Sequence, residues 1–435
     1  MIRFFIRTFG CQMNESDSER VAGILSRAGG SPAARVEEAD LVIVNTCAVR
    51  EKSEDKLFSY LGRLARLKER KPLRLGVVGC VAQLRSLELL GRRSPVDFVL
   101  GPDNYAQLAE ILRTASAEKI AATDWSADWH ETPPDLILRE SPVSGYVTVM
   151  EGCDNFCAYC VVPFTRGREK YRPLFSILAE AADLVRRGYK EVQLLGQNVN
   201  SYRDPESGRT FAGLLSEVTA IDDLPWVRFL TSHPKDFPDE IGRVMSERRN
   251  ICRQLHLPLQ SGSSAVLKRM RRGYTREKYL DIVAGLRRLM PEIALSTDII
   301  VGYPGETDKD FEATLDLLKT VRFTGIFSFR YSPRPLTRAA DLADDIPKAE
   351  KQRRLAAVQA LQKDIQLEAN ARRVGQAQKV LCLGRSQKTP QLFSGRNEGN
   401  QVVNFSSTGD GVGKFVTVRI TGSGPYGLRG EETSP

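Results

Sequence analysis

Within the first 120 residues, four short apolar runs, IRFFIRTFG, LVIVNTC, LRLGVVGC and DFVLGP, each give way to a helical pattern. The helical stretches are SDSERVAGILSRAG, EKSEDKLFSYLGRLARLKER, VAQLRSLELLG and NYAQLAEILRTA. A strand that is apolar at nearly every position is covered on both faces, and a helix after every strand returns the chain to start a parallel neighbour. Residues 1–120 are therefore expected to form an open parallel α/β sheet with helices on both faces.

The texture then changes. Residues 121–143, with a Pro-Pro pair and mixed polarity, read as a linker. Residues 144–372 resume the alternation with longer loops, and the strand candidates are YVTVMEG, EVQLLGQN, VRFLTSH, CRQLHLPL, IALSTDIIVG and GIFSFRY. Six β-α units suit a parallel barrel short of the full eight, with reactive groups at the C-terminal ends of the strands. This unit ends in a charged helix over 348–372, where Leu355, Val358, Leu361 and Ile365 share one face and are expected to dock on the barrel. Residues 373–435 hold short strands broken by Gly, Ser and Asn, a small all-β barrel with eight Lys/Arg against four Asp/Glu.

Bulk properties narrow the class. The net charge of +9 favours a polyanionic partner, because Lys and Arg gain by releasing counterions from phosphates. No stretch approaches a membrane span, and MIRFFIRTFGCQ is no secretory signal, so a cytoplasmic protein without a membrane partner is expected. In a reducing cytosol, clustered cysteines bind metal or do chemistry more often than they form bridges.

Three of the eight cysteines, Cys153, Cys157 and Cys160, fall in MEGCDNFCAYCVVPFTRGRE, directly after the first expected barrel strand. A structural zinc site wants four closed ligands, and no other Cys or His occurs between His130 and His233. Three thiolates suit a [4Fe–4S] cluster with one iron left free, the alternative being buried or zinc-binding cysteines. Cys11, Cys47 and Cys80 each follow an N-terminal strand, in TFGC, NTC and VGC. Strand ends of a parallel sheet share one edge, so these thiols can meet there. Two readings stay open at this point, a second open cluster or three unrelated core cysteines. Cys252 and Cys382 lie within strand patterns and read as core. His233 and His256 have no suitable Cys neighbour in sequence and read as packed or hydrogen-bonded.

The C-x3-C-x2-C triplet resembles that of the radical SAM superfamily. TFGCQMN, NTCAVRE, VGCVAQ, LLGQNVNSY, TSHPKDF, HLPLQSGS, RGYTRE, TDIIVGYPGET and FSGRNEGNQVVNF extend the likeness to the methylthiotransferase family, over residues 3 to about 420. CQMN, TRGRE and GQNVNSY are similar to the family's tRNA-modifying branch. The resemblance implies a flavodoxin-like N-terminal domain, a partial (β/α)6 radical SAM barrel and a C-terminal TRAM domain of OB-like form. It implies transfer of a methylthio group to carbon 2 of N(6)-isopentenyladenosine beside the tRNA anticodon, with two [4Fe–4S] clusters and S-adenosylmethionine. One S-adenosylmethionine methylates a sulfur at the cluster of Cys11, Cys47 and Cys80. A second yields a 5′-deoxyadenosyl radical at Cys153, Cys157 and Cys160.

The same resemblance implies that Tyr159 lies beside the adenine of the cofactor and that Gln197 and Asn198, ending the second barrel strand, are cofactor-binding candidates. Asp298, in the fifth strand, is another if it faces inward, and the alternative for these residues is structural, as Asn and Gln commonly satisfy loop backbone. A tRNA anticodon stem-loop, a flavodoxin- or ferredoxin-type electron donor and a monomeric state are expected. Arg166, Arg168 and Arg396 are the RNA-binding candidates, Arg166 and Arg168 having a second reading as partners of Glu169 or of carboxylates elsewhere. The basic run KRMRRGYTREK at 268–278 has two readings, a solvated helix end or an RNA contact. Competing functions are a sister enzyme, acting on threonylcarbamoyladenosine or a ribosomal protein, and a non-catalytic metal-stabilised RNA-binding protein. The chain departs from the family at Phe9, usually Tyr, and in PRPLTRAA after Ser332, usually PRPGTPA. Leu336 and Arg338 thus replace Gly and Pro in a loop beyond the last barrel strand.

Overall fold

A computed structural model describes residues 2–113, 118–409 and 411–433. The N-terminal sheet has six parallel strands in the order Ser31–Pro32, Arg3–Phe9, Leu41–Thr46, Arg74–Val78, Phe98–Leu100, Ile120–Ala122. The four expected strands form its centre, and two short edge strands join them. Every residue of Leu41–Thr46 is buried because alternate side chains feed opposite cores. Val42 and Val44 pack with Leu57, Leu61 and Leu64 on one face, while Leu41 and Ile43 pack with Val21, Leu25 and Phe98 on the other. The strand Ile120–Ala122 carries the sheet into the stretch expected as linker.

The barrel consists of two three-stranded parallel sheets. Ser144–Thr148, Glu191–Leu195 and Trp226–Phe229 form one, and Gln254–His256, Ala294–Val301 and Gly325–Arg330 form the other. A single parallel bridge, Val227 to Ile251, joins them into one arc of six strands. Leu255, Leu295, Ile299 and Val301 belong to the core under the helices. The alternating positions His256, Ser296, Asp298 and Phe327, neighbours in register, face the inside of the arc.

The helix Lys348–Ala371 docks as its apolar face requires. Val358 is in the barrel core, and Leu355 and Leu361 are half-buried against it. Beyond it, Ala377–Arg385, Phe393–Asn397, Val402–Ser406, Gly427–Glu432 and Phe415–Gly424 close into a five-stranded barrel around Val380, Cys382, Phe393, Phe405 and Val418. This small barrel sits against the N-terminal ends of the larger barrel's strands. There Arg228, buried and paired with Glu191, donates to the carbonyls of Asn397 and Glu398 at 2.7 Å each. Cys252 packs in the same seam with Val143, Trp226 and Leu381.

The loop that departs from the family pattern is left-handed at the departure. Leu336 has φ +67° and its side chain is mostly exposed. An L-residue there is strained, since its Cβ crowds the following carbonyl. The loop nevertheless reaches the cysteine triplet, because Ala339 N–H donates to the carbonyl of Ala158 at 2.8 Å. Leu336→Gly is expected to raise stability by up to about 1 kcal/mol in urea denaturation, the relief of strain being offset in part by glycine's looser unfolded chain.

Candidate functional site

The strand Ser144–Thr148 runs into Met150–Glu151, which pairs antiparallel with Lys170–Tyr171, so residues 152–169 form a closed loop. Gly152 opens it at φ +82°, and a Cβ there would lie 2.0 Å from the carbonyl oxygen of Arg168. Gln197 supports this turn, its Oε1 accepting from Gly152 N–H at 2.5 Å. Cys153 N–H donates to Gly167 O at 3.2 Å, Cys160 N–H to Cys157 O at 3.0 Å, and Ala158 N–H to Met270 O at 2.9 Å.

Nitrogen donors face the sulfurs of this loop. Asn155 Nδ2 lies 3.7 Å from Cys153 Sγ, and Arg272 Nη1 is 3.4 Å from Cys157 Sγ. His233 Nε2 also faces Cys157, at 3.8 Å. His233 Nδ1 accepts from the N–H of Lys235, which leaves the ring proton on Nε2. Burial, with the positive charges of Arg272 and Lys235, depresses His233 to about 2 and keeps the ring neutral. Burial pushes the Cys153 thiol up to about 11. It pushes Cys160 up as well, together with charge on Cys157 and Cys153. A thiol so disfavoured as a free thiolate keeps its proton until a metal replaces it.

The second triplet lies where the parallel sheet predicts. Cys11 precedes the helix Gln12–Arg27, Cys47 follows Leu41–Thr46, and Cys80 begins the helix Cys80–Leu89. Cys47 N–H donates to Phe9 O at 3.0 Å. Buried Asn14 and Asn45 join the first two strand ends, with Asn14 Nδ2 to Asn45 Oδ1 at 3.0 Å and Cys11 N–H to Asn14 Oδ1 at 3.3 Å. Cys11 and Cys47 shift one another. A hydrogen bond from Cys47 lowers Cys11 to about 6, and the same bond, with burial, holds Cys47 well above an ordinary thiol. Burial raises Cys80 despite the opposing charge of Arg166. Val49 N–H lies 3.3 Å from Cys47 Sγ, and Arg166 Nε lies 3.3 Å from Cys80 Sγ.

Arg166 also ties the triplets together. It is six residues from Cys160, a reach of at most about 20 Å fully extended. The 3-10 turn Val162–Phe164 shortens that span, with Arg166 N–H bonded to Val162 O at 2.8 Å. Val161 belongs to the N-terminal domain's core and Phe164 packs against it. Arg166 is only 3% exposed and is paired with buried Asp17. Of its two readings, an RNA contact or a pair with a carboxylate, burial on Asp17 fits the second, and Arg166 bridges one cysteine loop to the other.

The remaining candidates are placed as follows. Arg168 is exposed at the loop rim, paired with Asp154 at 2.8 Å and over the ring of Phe156 at 5.3 Å. Arg396 is half-buried near Glu191 and Arg228, at the seam between the barrels, and donates to Asn400 Oδ1 at 3.0 Å. That seam, rather than an open RNA-facing surface, is its setting. Tyr159 is half-buried against Ala158, Val266, Met270, Tyr303 and Tyr331. Asn198 is buried and donates to Asp236 Oδ2 at 2.9 Å, while its own Oδ1 has no protein partner. Asp298 lies 3.5 Å from His256 Nε2, and Ser296 Oγ holds His256 Nδ1 at 3.0 Å. Sequence reading missed the roles of Asn14 and Arg272, because each reaches its strand end or sulfur through tertiary contact. His233, read as packed or hydrogen-bonded, is buried and hydrogen-bonded, with Cys157 its neighbour.

Among the described residues no three His, Cys, Asp or Glu are gathered as ligands of a single metal ion. One ion collects thiolates at about 2.3 Å, whereas an iron–sulfur cube spreads them over separate irons. Buried cysteines faced by N–H donors fit the latter, since such hydrogen bonds favour the thiolate and tune the cluster.

Comparison with known proteins agrees with this geometry. Family models match the chain at residues 3–101 (Uncharacterized protein family UPF0004), 147–318 (Radical SAM superfamily) and 371–432 (TRAM domain). A tRNA-2-methylthio-N(6)-dimethylallyladenosine synthase of Geobacter metallireducens is 49% identical over 432 residues, covering 98% of this chain and 97% of the relative. One of Solibacter usitatus is 46% identical, covering 99% and 98%. In fold, the chain is similar to the radical S-adenosylmethionine methyltransferase TsrM from Kitasatospora setae, with a TM-score of 0.56, 15% identity, and 78% and 75% of the two chains covered.

Proposed function

The chain belongs to the tRNA-2-methylthio-N(6)-dimethylallyladenosine synthases, radical SAM tRNA methylthiotransferases, and from that premise we propose how its two cysteine triplets divide the work. The reaction replaces the C2 hydrogen of N(6)-isopentenyladenosine beside the anticodon with a methylthio group. An aromatic C–H of this kind is too weak an acid for a side-chain base at neutral pH. Cys153, Cys157 and Cys160 would hold a cluster that, with S-adenosylmethionine, would supply a carbon radical, and Cys11, Cys47 and Cys80 would hold a second that would present the sulfur to be transferred. The observation that supports this division is the loop from Cys160 to Arg166, whose end lies on Cys80 and so ties the two cysteine sets together.

The chain's own residues orient the reactants. Gln197 and Gly152 fix the turn into the first triplet. Asn198, with an unpartnered Oδ1, offers an acceptor to the amino group of S-adenosylmethionine. Tyr159 bounds the adenine end, and Asp298 faces the arc's interior beside His256. Exposed Arg168 and the net-basic TRAM domain meet the anticodon stem-loop. A flavodoxin- or ferredoxin-type donor delivers the electron to a cytoplasmic monomer. No helix among the described residues is long and apolar enough to cross a membrane.

Anaerobic incubation of the reconstituted chain with S-adenosylmethionine, a reductant and an isopentenylated anticodon stem-loop tests this. Mass spectrometry should find CH3S in place of H on the RNA, together with 5′-deoxyadenosine. A cluster-loaded preparation that leaves this RNA unchanged, but modifies a threonylcarbamoylated stem-loop or a ribosomal protein, overturns the substrate assignment.

A further inference from the structure

The basic run at 268–278 does not form one surface patch. Arg269 pairs with Asp310 at 3.3 Å, and Arg276 pairs with Asp316 at 2.5 Å. Arg272 turns inward and is only 4% exposed. Its Nε donates to Tyr274 Oη at 3.1 Å, its Nη2 to Pro258 O at 2.8 Å, and its Nη1 to Cys157 Sγ at 3.4 Å. Among the described residues no carboxylate forms an ion pair with it. Every other arginine buried to this degree does have such a partner: Arg166 has Asp17, Arg172 has Glu180, Arg228 has Glu191 and Arg354 has Glu306. A guanidinium cannot shed its proton in a protein, and a buried cation without a counter-charge is costly. The group it faces must therefore carry the anion.

We propose that Arg272 is the charge partner of the cluster bound by Cys153, Cys157 and Cys160, and that its unneutralised guanidinium raises that cluster's reduction potential above the value the thiolates alone would give. This rests on the functional reading above. Reduction adds one electron, and hence one negative charge, from an external one-electron donor. A fixed cation in low dielectric stabilises the reduced form more than the oxidised one. Arg166, the corresponding donor at Cys80, is already neutralised by Asp17 and exerts much less of this effect. His233 adds only a neutral N–H, and Lys235, its side chain 51% exposed to solvent, has its ammonium turned to Asn155 at 3.1 Å.

The test is an EPR-monitored redox titration of the full reconstituted chain, following the cluster whose signal changes on adding S-adenosylmethionine. In R272Q the ratio of reduced to oxidised cluster at a given potential should fall at least about tenfold, a shift of ~59 mV for one electron. R272K keeps the charge but not the fork, and should stay within about threefold of wild type. The other cluster should not move. An unmoved potential in R272Q, equal shifts in R272Q and R272K, or a raised KM for S-adenosylmethionine with an unchanged potential overturns the proposal. Should R272Q fail to take up the cluster, retention in R272K at the wild-type potential supports the charge role, and loss in both overturns it. A wild-type chain that binds no cluster at Cys153, Cys157 and Cys160 brings down the functional reading as well. A wild type with both clusters and an unmoved R272Q brings down this inference alone.

Discussion

Replacing Cys11, Cys47 and Cys80 together by Ala is expected to leave about four irons per chain and 5′-deoxyadenosine formation within about threefold of wild type, while methylthiolated RNA falls to background. The triple replacement at Cys153, Cys157 and Cys160 should likewise retain about four irons, but abolish both 5′-deoxyadenosine and product. The asymmetry follows from placement. The first set sits at the C-terminal edge of a separate parallel sheet and meets the barrel loop through Arg166, Val161 and Phe164. Its removal takes away no hydrogen bond that shapes residues 152–160, which are held by Gly167, Met270, Gln197 and Ala339. Iron and sulfide quantitation, with chromatography of 5′-deoxyadenosine, separates the two sets. If the N-terminal replacement also stops cleavage of S-adenosylmethionine, the division of labour is wrong. If it leaves product formation intact, the second cluster has no part in the transfer.

The largest effect on stability is expected at Glu180. Its carboxylate, 2% exposed, is shared by two buried guanidiniums, Arg139 and Arg172. Arg139 also pairs with Glu19 at 3.0 Å on the N-terminal domain's first helix, and it donates to Tyr146 O at 2.6 Å. Arg172 also holds Glu131 in the connecting segment. One carboxylate thus anchors the N-terminal domain, the connection and the barrel. Glu180→Ala leaves two buried cations short of a partner and should cost roughly 3–5 kcal/mol, read as a lower urea midpoint.

The pH dependence supplies a second readout. Burial pushes Glu180 up, but Arg172 and Arg139 outweigh it and hold the carboxyl below the usual carboxylate range. A depressed folded-state pKa means that the stabilisation is complete above the unfolded value, near 4.5, and is lost as pH falls through the folded value. The stability gap between wild type and Glu180→Gln should therefore be widest near neutral pH and close on acidification below about 4.5. A gap that does not change with pH would assign the effect to packing.

Much of the fold was legible because its signals are local. The apolar run LVIVNTC is a strand fed by two cores, and its alternation of Val42 and Val44 against Leu41 and Ile43 is one between opposite faces. Six barrel strands were legible for the same reason. The face shared by Leu355, Val358 and Leu361 foretold where the last long helix docks. The edge strands Ser31–Pro32 and Ile120–Ala122 were not, since two or three residues carry too little period to read. The arginines were the least legible. Arg166, Arg272 and Arg396 look alike as exposed basic residues in a chain of +9 net charge. One is buried on Asp17 and Cys80, one is buried on Cys157, and one lies in the seam between two barrels.

By itself, then, the order of residues determined three folding units, one set of three thiols at 153, 157 and 160, and three further cysteines at strand ends, because strand period, helix period and cysteine spacing are properties of neighbours along the chain. Only the tertiary structure decided that a six-residue loop joins the two sets, and which buried guanidinium has a carboxylate and which has only sulfur. Those are matters of desolvation and distance between groups that lie far apart in sequence, and such distances exist only once the cores have packed.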